Sequence, residues 1–275
     1  MTDLSDAFRR LFSRARPLIG MLHLPALPGS PGSRLGVAEI AAHCVREARI
    51  YRDAGFDGLM IENMHDRPYL AREVGPEAVA AMAVVGHEVR REAGLPLGVQ
   101  VLAGANRQAL AVARACGAGF VRVEGFCFAH VADEGIFEAD AGELLRERRR
   151  IGADDVLVLA DIKKKHASHA LTADVGIADT ARAAEFCLAD GVIVTGAATG
   201  LEASAAEVDA VAAAVTIPVL VGSGITANNI GRYTEADGFI VGSTVKRDGH
   251  WTGPLDAARA AALVAARDAL ADDGR

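Results

Sequence analysis

The sequence places ionisable residues at the ends of short apolar runs. His23, Glu62 and Glu124 each end such a run. Another run ends with Asp161 and Lys163, which are two residues apart and would share one face of a β-strand. Carboxylates, a histidine and a lysine can together remove a proton from carbon, return it elsewhere and stabilise the negative charge that forms in between. These five residues are therefore candidates for acid–base chemistry.

Two more basic residues follow directly after the fifth apolar run. The full set of catalytic candidates is then His23, Glu62, Glu124, Asp161, Lys163, Lys165 and His166. Either Glu62 or Asp161 would be the general base. Either His23 or His166 would be a second acid–base group, because histidine titrates near neutrality. Nearby carboxylates favour the charged form of the lysines, so we expect Lys163 or Lys165 to act electrostatically, without forming an imine.

A structural alternative exists for the same polar residues. They could form a layer of buried ion pairs, with Arg122 bound to Glu62 and Asp161 bound to Lys163. Unpaired buried charges cost several kcal/mol, so some pairing is required in either case. Gln100 and Thr195, at the ends of two further runs, would add neutral polar groups to the same layer.

Glycine-rich segments follow the last two apolar runs. The candidate phosphate-binding residues in them, together with one glycine after the sixth run, are Gly196, Gly222, Ser223, Gly224, Gly242 and Ser243. Glycine lets the backbone approach a ligand closely, and clustered backbone N–H groups bind anions. The alternative is that these glycines only allow tight turns. The pairing of two such segments favours a phosphate site.

Eight apolar runs alternate with helical patterns along the chain. The predicted strands are Leu18–Leu24, Gly58–Asn63, Leu97–Leu102, Phe120–Gly125, Val156–Lys163, Gly191–Gly196, Val219–Gly224 and Phe239–Ser243. The predicted helices are centred on Ala41–Asp53, Glu77–Ala93, Arg107–Cys116, Ala141–Arg149, Asp174–Leu188, Ala205–Val215, Ala227–Tyr233 and Leu255–Leu270. Eight strand–helix units predict a single α/β domain, a (β/α)₈ TIM barrel with its site at the carboxyl ends of the strands. No G-x-G-x-x-G motif follows the first strand, which argues against an open nucleotide-binding sheet.

The chain divides into an N-terminal helix, residues 1–16, and the barrel, residues 17–275. The first segment has amphipathic spacing and would close the bottom of the barrel as an extra helix. It also resembles a transit peptide in its arginines, but Asp3 and Asp6 count against that interpretation. Two stretches, Pro25–Gly36 and Phe126–Ala139, are predicted to be long loops at the mouth of the barrel.

Composition excludes several classes of protein. The net charge is −7 and no basic stripe is present, so nucleic acid is not an expected partner. No run of 18 apolar residues predicts membrane insertion, and no signal peptide is apparent. Four cysteines without a C-x-x-C pair indicate reduced thiols and a cytoplasmic location. A metal-dependent variant would use His23, Glu62, Asp161 and His166 as ligands, but these residues lack the spacing of known zinc motifs, so we expect no metal and no cofactor. A homo-oligomer is compatible with the sequence.

Several long motifs occur in the order of a known family. They are Ile19–Pro25 with Pro28–Pro31, Gly58–Asn63 with Asp66–Pro68, Ala160–Ala167, Val194–Gly200 and Val221–Thr226. From about residue 17 to 265 the chain resembles the BtpA/SgcQ family, in a branch found outside photosynthesis. The resemblance implies a barrel of the phosphate-binding type and supplies no catalytic residues. Many members have a small residue and Asn near Val123 and Glu124, so the fourth strand departs from the family pattern.

Two functions follow from these observations. The first is an enzyme acting on a phosphorylated sugar or nucleotide-like metabolite, of isomerase, epimerase or lyase type, with a phosphorylated small molecule as its ligand. The resemblance also implies a second function, because the cyanobacterial namesake of the family is linked to photosystem I biogenesis or stability, whereas the SgcQ branch is grouped with carbohydrate-phosphate metabolism. This second function is a non-catalytic assembly or stability factor, which should expose a broad apolar patch.

Overall fold

The computed structural model describes residues 4–196 and 200–270. Its strands are β1 Leu18–His23, β2 Gly58–Glu62, β3 Leu97–Gln100, β4 Phe120–Val123, β5 His130–Ala132, β6 Gly135–Phe137, β7 Leu157–Ile162, β8 Ala167–Ser168, β9 Gly191–Val194, β10 Val219–Val221 and β11 Gly238–Val241. Its helices are α1 Leu4–Leu11, α2 Val37–Ala54, α3 Pro76–Ala93, α4 Asn106–Cys116, α5 Ala141–Arg150, α6 Ile177–Phe186, α7 Ala205–Ala212 and α8 Ala257–Asp268. None of these helices is long and apolar enough to cross a membrane.

Eight of the strands close into a parallel barrel in the order β1-β11-β10-β9-β7-β4-β3-β2. The predicted (β/α)₈ barrel is therefore confirmed. The register aligns His23 of β1 with Glu62 of β2, and Glu62 with Gln100 of β3. Because the strands are parallel, these polar residues meet at one end of the barrel, which is the end where barrels bind their ligands.

The predicted helices form with small shifts, with one exception. The segment Ala227–Tyr233 contains only a 3₁₀ turn at Ile230–Arg232. Asn229 explains the short element, because its side chain binds the Thr226 amide at 2.7 Å and the Gly224 carbonyl at 2.8 Å. Local side-chain bonds of this kind compete with helix formation.

Two apolar layers hold the barrel together. The inner layer fills the barrel with large side chains, and its members are Ile19, Met21, Met60, Phe120, Leu157, Leu159, Ile193, Leu220 and Ile240. Phe8 and Phe12, on and just after α1, pack against the bottom of this layer, 4.9 Å apart between ring centroids. The outer layer joins the strands to the surrounding helices. The N-terminal helix therefore closes the bottom of the barrel, as its amphipathic spacing predicts; residues 1–3 lie outside the described part.

The stretch Phe126–Ala139 is not a plain loop, which corrects the sequence-based expectation. Within it β5 and β6 form an antiparallel hairpin, and β8 pairs with the other edge of β5. We call this three-stranded sheet the mouth sheet. Its turn residues Asp133 and Glu134 line the cavity at the carboxyl end of the barrel. Strands of two or three residues carry too little periodicity to be recognised in a sequence.

Candidate functional site

A cavity of about 430 Å³ opens at the carboxyl end of the barrel. Its volume lies in the range of small-molecule sites. Five of the seven catalytic candidates line it, namely His23, Glu62, Glu124, Lys165 and His166. Asp161 and Lys163 do not line it and instead border a small neighbouring pocket. The barrel thus brings together most, but not all, of the residues that the sequence singles out.

Glu62, the last residue of β2, is buried, with 6% of its surface exposed. Burial raises the pKa of its carboxyl group from 4.5 to about 7, and the positive charges of Arg122 and Lys165 only partly oppose that shift. A carboxyl group with a pKa near 7 can both accept and release a proton at neutral pH. Glu62 therefore has the properties of a general base.

His23 faces Glu62 as a neutral ring. Burial, together with the nearby charge of Lys246, lowers the pKa of His23 to about 3. Its Nδ1 lies 3.2 Å from the carbonyl oxygen of Trp251, which can only accept, so Nδ1 carries the proton. Its Nε2 is then an acceptor, 3.6 Å from Glu62 Oε2. A protonated Glu62 fits this arrangement better than a carboxylate, in agreement with its raised pKa.

Asp161 forms a buried ion pair with Arg122 of the neighbouring strand. Arg122 Nε lies 3.1 Å from both carboxylate oxygens, and Nη2 lies 3.0 Å from Oδ2. The predicted pair between Asp161 and Lys163 is therefore wrong, as is the alternative pair between Arg122 and Glu62. With both oxygens bound by a guanidinium, Asp161 fixes Arg122 in the wall of the cavity.

Lys163 points away from the mouth. β7 ends at Ile162, and Lys163 has a φ of +47°, so the strand alternation that would have placed it beside Asp161 stops one residue earlier. Its Nζ donates to the carbonyl oxygen of Thr172 at 2.9 Å. The expectation that Lys163 lies in the site is therefore corrected.

The next two lysines occupy the mouth instead. Lys164, which sequence reasoning did not select, is buried and lies 3.2 Å from Glu124 Oε2. Lys165 lines the cavity, and within the described part of the chain its Nζ makes neither a hydrogen bond nor an ion pair. Burial and the charge of Arg122 lower the pKa of Lys165, although Glu62 opposes the shift. Lys165 is thus the lysine whose charge is directed at the contents of the cavity.

His166 lies at the exposed rim of the cavity and has a φ of +56°. Partial burial and the charges of Lys165 and Lys164 lower its pKa. The structure therefore separates the two candidate histidines, with His23 on the cavity floor beside Glu62 and His166 at the entrance.

The two glycine segments meet in the cavity wall across the barrel from β3. Gly222, Ser223, Gly224, Gly242 and Ser243 all line it. Gly224 has a φ of +68°, and a Cβ there would collide with the backbone of Leu201 and Glu202. Part of the glycine pattern therefore serves the packing of neighbouring loops, and part gives the backbone direct access to the cavity.

Gly196 does not line the cavity, contrary to the sequence-based assignment. A Cβ on Gly196 would collide with the carbonyl oxygen of Leu201, and its amide donates to Ser223 Oγ at 2.7 Å. Ser223 Oγ in turn donates to the Leu201 carbonyl at 3.0 Å. Gly196 therefore supports the glycine segment after β10 from behind. The adjoining Ala197–Thr199 lie outside the described residues.

The geometry can now be compared with known proteins. The BtpA family model matches residues 14–269. The chain belongs to the BtpA family. A Caenorhabditis elegans protein whose name describes it as mitochondrial is 46% identical over 256 residues, which cover 91% of this chain and 92% of that protein. The photosystem I biogenesis protein BtpA of Synechocystis is 35% identical, with 93% of this chain and 89% of that protein covered.

Solved structures with the same fold include enzymes of phosphorylated compounds. The (S)-3-O-geranylgeranylglyceryl phosphate synthase of Thermoplasma acidophilum, in complex with sn-glycerol-1-phosphate, has a TM-score of 0.59 at 15% identity and covers 97% of this chain and 98% of its own. The N-(5'-phosphoribosyl)anthranilate isomerase of Pyrococcus furiosus has a TM-score of 0.56 at 13% identity, with 92% and 99% covered. At these identities the similarity establishes the fold of this BtpA-family chain.

Two arginines at the mouth of this BtpA-family barrel escaped the sequence interpretation. Arg72 donates to the carbonyl oxygens of Glu124 and Gly125, at 3.2 and 3.0 Å, and lies 2.9 Å from Asp140. It therefore links the loops that carry the mouth sheet. Arg67 lies over the Trp251 ring, 5.1 Å from its centroid. Both arginines lie in a loop without periodicity. Arg67 belongs to the Asp66–Pro68 motif of the family resemblance, which gives it no role, and no sequence signal separates Arg72 from solvent-exposed arginines.

No cluster of three or more metal-ligating side chains occurs among residues 4–196 and 200–270. The carboxylates and histidines of the mouth instead contact cationic side chains, backbone carbonyls and one another. The described residues of the mouth can support proton transfer with electrostatic stabilisation.

Proposed function

We propose that this protein is an enzyme that moves a proton on a phosphorylated small molecule, in a reaction of isomerase, epimerase or lyase type. One observation carries the proposal. Glu62, with a pKa of about 7, faces the same cavity as the two glycine segments and as Lys165, whose Nζ makes neither a hydrogen bond nor an ion pair among the described residues. A base matched to neutral pH, a cation and backbone able to approach an anion are the parts that such a reaction requires.

In the reaction, the Glu62 carboxylate removes a proton from a carbon next to a carbonyl group. The electron pair of the broken C–H bond moves onto the carbonyl oxygen, and Lys165 Nζ stabilises that negative charge. Glu62, now protonated, faces the unprotonated Nε2 of His23 across 3.6 Å. In an isomerisation, a hydroxyl group on the first carbon gives its proton to the oxyanion while Glu62 returns the abstracted proton to the former carbonyl carbon, so the carbonyl group moves by one carbon. In an epimerisation, the carbonyl group re-forms as a proton from solvent reaches the opposite face of the first carbon, and Glu62 releases its own proton to solvent. In an elimination, the carbonyl group re-forms as the β-substituent leaves with its bonding electron pair and takes the proton from Glu62.

The phosphate would lie against the glycine segments, as expected for a barrel of the phosphate-binding type. Gly222, Ser223 and Gly224 follow β10, and Gly242 and Ser243 follow β11. Phosphate bound here anchors the substrate at one side of the mouth, which holds the reacting carbon over Glu62. The proposal includes a cytoplasmic location, with which the four free cysteines agree.

The proposal is tested by hydrogen exchange. The protein is incubated in D₂O with a panel of phosphorylated keto and aldo compounds, and deuterium incorporation into each compound is measured by mass spectrometry. We expect incorporation into at least one compound, and its loss in the Glu62→Gln variant. Glu88→Gln is the matched control, because Glu88 lies on α3 and its one ion pair within the described part of the chain is with Arg91. Exchange that is equal in the wild type and in Glu62→Gln would overturn the proposal.

A second candidate function comes from the name of the Synechocystis relative. A non-catalytic assembly factor would use its surface, and Val131 and Ile136 are paired, exposed apolar residues on the mouth sheet. This function predicts that Val131→Ser with Ile136→Ser abolishes the biological role whereas Glu62→Gln preserves it. The enzyme proposal predicts that Glu62→Gln abolishes it.

A further inference from the structure

The two sides of the mouth differ in chemistry. In the closed ring of eight strands, β3 lies four positions from β10 in either direction, so it faces β10 across the barrel. The glycine segment that lines the cavity follows β10, whereas Gln100 and Leu102 lie at the end of β3. Glu62 and Lys165 come from strands and loops between these two sides. A molecule with phosphate at the glycine segments therefore extends its other end toward β3.

The β3 side of the cavity is largely apolar. Leu102 and Ala103 form a small cluster with Phe137 of the mouth sheet, and Met64 and Tyr69 pack against it. The Tyr69 hydroxyl donates to the Met64 carbonyl oxygen at 2.7 Å, so it is the ring of Tyr69 that is available to the cavity. Four of these residues line the cavity directly: Met64, Tyr69, Leu102 and Ala103. Such a wall favours a flat apolar group over a hydroxylated chain.

Gln100, which lines the same side of the cavity, carries a buried hydrogen-bond acceptor. Gln100 is buried, with 2% of its surface exposed, and its Nε2 donates to Glu124 Oε1 at 3.3 Å. Since Glu124 forms an ion pair with Lys164, it can only accept, and this fixes which end of the Gln100 amide is oxygen. That oxygen, Oε1, has no hydrogen-bond partner among the described residues, and neither has Oε2 of Glu134 on the turn of the mouth sheet.

Buried acceptors without partners are costly, and a donor group on a ligand in the cavity would satisfy both. An apolar wall with acceptors at its edge matches a planar ring that carries N–H groups. We propose that the substrate is a phosphorylated compound bearing a planar nitrogen heterocycle, bound with its ring against Met64, Tyr69 and Leu102 and with an N–H group donating to Gln100 Oε1. This inference rests on the proposed function and selects the nucleotide-like class over the plain sugar phosphates.

The experiment compares ligands that share a phosphate and differ in the ring. Binding of inorganic phosphate, ribose 5-phosphate and the 5'-monophosphates of uridine, cytidine, adenosine, guanosine and inosine is measured by calorimetry and thermal shift. We expect at least one nucleoside monophosphate to bind about tenfold or more tightly than ribose 5-phosphate, because a buried ring removes a large apolar area from water. If ribose 5-phosphate binds as tightly as every nucleoside monophosphate, the heterocycle proposal is overturned. If no phosphorylated probe binds, the proposed function itself fails.

A pair of variants isolates the role of Gln100. Gln100→Leu removes the acceptor and leaves the ion pair between Glu124 and Lys164 in place. We expect it to reduce the preference for the nucleoside monophosphate about tenfold while affinity for ribose 5-phosphate stays the same. Gln108→Leu is the matched control, because Gln108 Oε1 also lacks a partner but lies on α4, outside the cavity. An unchanged preference in Gln100→Leu, in a protein that melts like the control, would exclude this contact.

Discussion

The two ends of the barrel use the carboxylates at their strand ends in opposite ways. At the bottom, Asp57, Asp190 and Asp237 each precede a glycine that begins a strand, and each accepts a hydrogen bond from a backbone amide at or next to the start of the neighbouring strand. These bonds are 2.8, 2.7 and 2.9 Å long. At the mouth, Glu62 ends a strand and has only the neutral His23 within 4 Å as a partner among the described residues.

The two groups differ in how the negative charge of the carboxylate is compensated. Asp57 and Asp190 are also paired with Arg267 and Arg148, so their negative charge is compensated twice. Glu62 lacks such compensation, and burial raises its pKa to about 7. A carboxylate that is satisfied by amides and a guanidinium supports the fold, whereas one left without donors is free to exchange a proton.

The largest loss of stability is expected when the buried ion pair between Arg122 and Asp161 is broken. Arg122→Leu leaves the buried Asp161 without its partner and should lower the free energy of unfolding by about 3–5 kcal/mol. Urea denaturation followed by circular dichroism measures this change. The double variant Arg122→Leu with Asp161→Leu should recover most of the loss. If the double variant is no more stable than the single one, Asp161 has other partners and its assigned role is wrong.

Lys163 and Lys165, which follow β7, are expected to differ in their effect on the exchange rate. Lys165→Met should lower the rate of deuterium exchange by about 10²–10³-fold, because it removes the charge that stabilises the oxyanion. Lys163→Met should leave the rate unchanged, since Lys163 donates to Thr172 outside the cavity. Equal losses in both variants would contradict the division between these lysines.

Borohydride reduction tests how Lys165 acts. A lowered pKa also makes a lysine a better nucleophile, so an imine with a carbonyl substrate is the competing mechanism. We expect mass spectrometry to find no reduced adduct on Lys165 after incubation with an exchanging substrate. A stable adduct would replace the electrostatic role with covalent catalysis.

A smaller loss is expected at the bottom of the barrel. Asp190→Asn weakens the contacts to the Val158 amide and to Arg148, and should lower the free energy of unfolding by about 1–3 kcal/mol without changing the exchange rate per folded molecule. Asp154→Asn is the control, because Asp154 is exposed and pairs with the exposed Arg149. Catalytic loss in Asp190→Asn beyond the loss of folded protein would contradict a purely structural role.

The smallest predicted effect is an increase in stability. Between pH 4.5 and about 7 the unfolded chain ionises Glu62 while the folded protein keeps it protonated, so Glu62 costs stability as the pH rises and the full cost is present above about pH 7. Glu62→Gln should therefore be more stable than the wild type at pH 8, by on the order of 2 kcal/mol. The difference should vanish below pH 4.5. Melting curves of both proteins across this pH range measure it, and a less stable variant at pH 8 would contradict the raised pKa.

The sequence alone determined the repeating architecture and part of the site. Eight alternating runs specify parallel strands with helical crossovers, and parallel strands bring their carboxyl ends together, so His23 and Glu62 meet as expected. The three Asp-Gly pairs that begin strands were also available as a signal at Asp57, Asp190 and Asp237. They were missed because Asp-Gly usually indicates a turn.

Tertiary structure decided which of the candidates reach the cavity. Period-two alternation gives the face of a residue only while the strand continues, and β7 ends at Ile162, which sends Lys163 outward and brings Lys165 to the mouth. Period-two alternation also does not determine which side chain of a neighbouring strand a residue contacts. Arg122 meets Asp161, 39 residues away in sequence, because closure of the barrel places β4 beside β7. Glu62 has no guanidinium bound to it among the described residues because Arg122 is bound to Asp161, and burial raises its pKa.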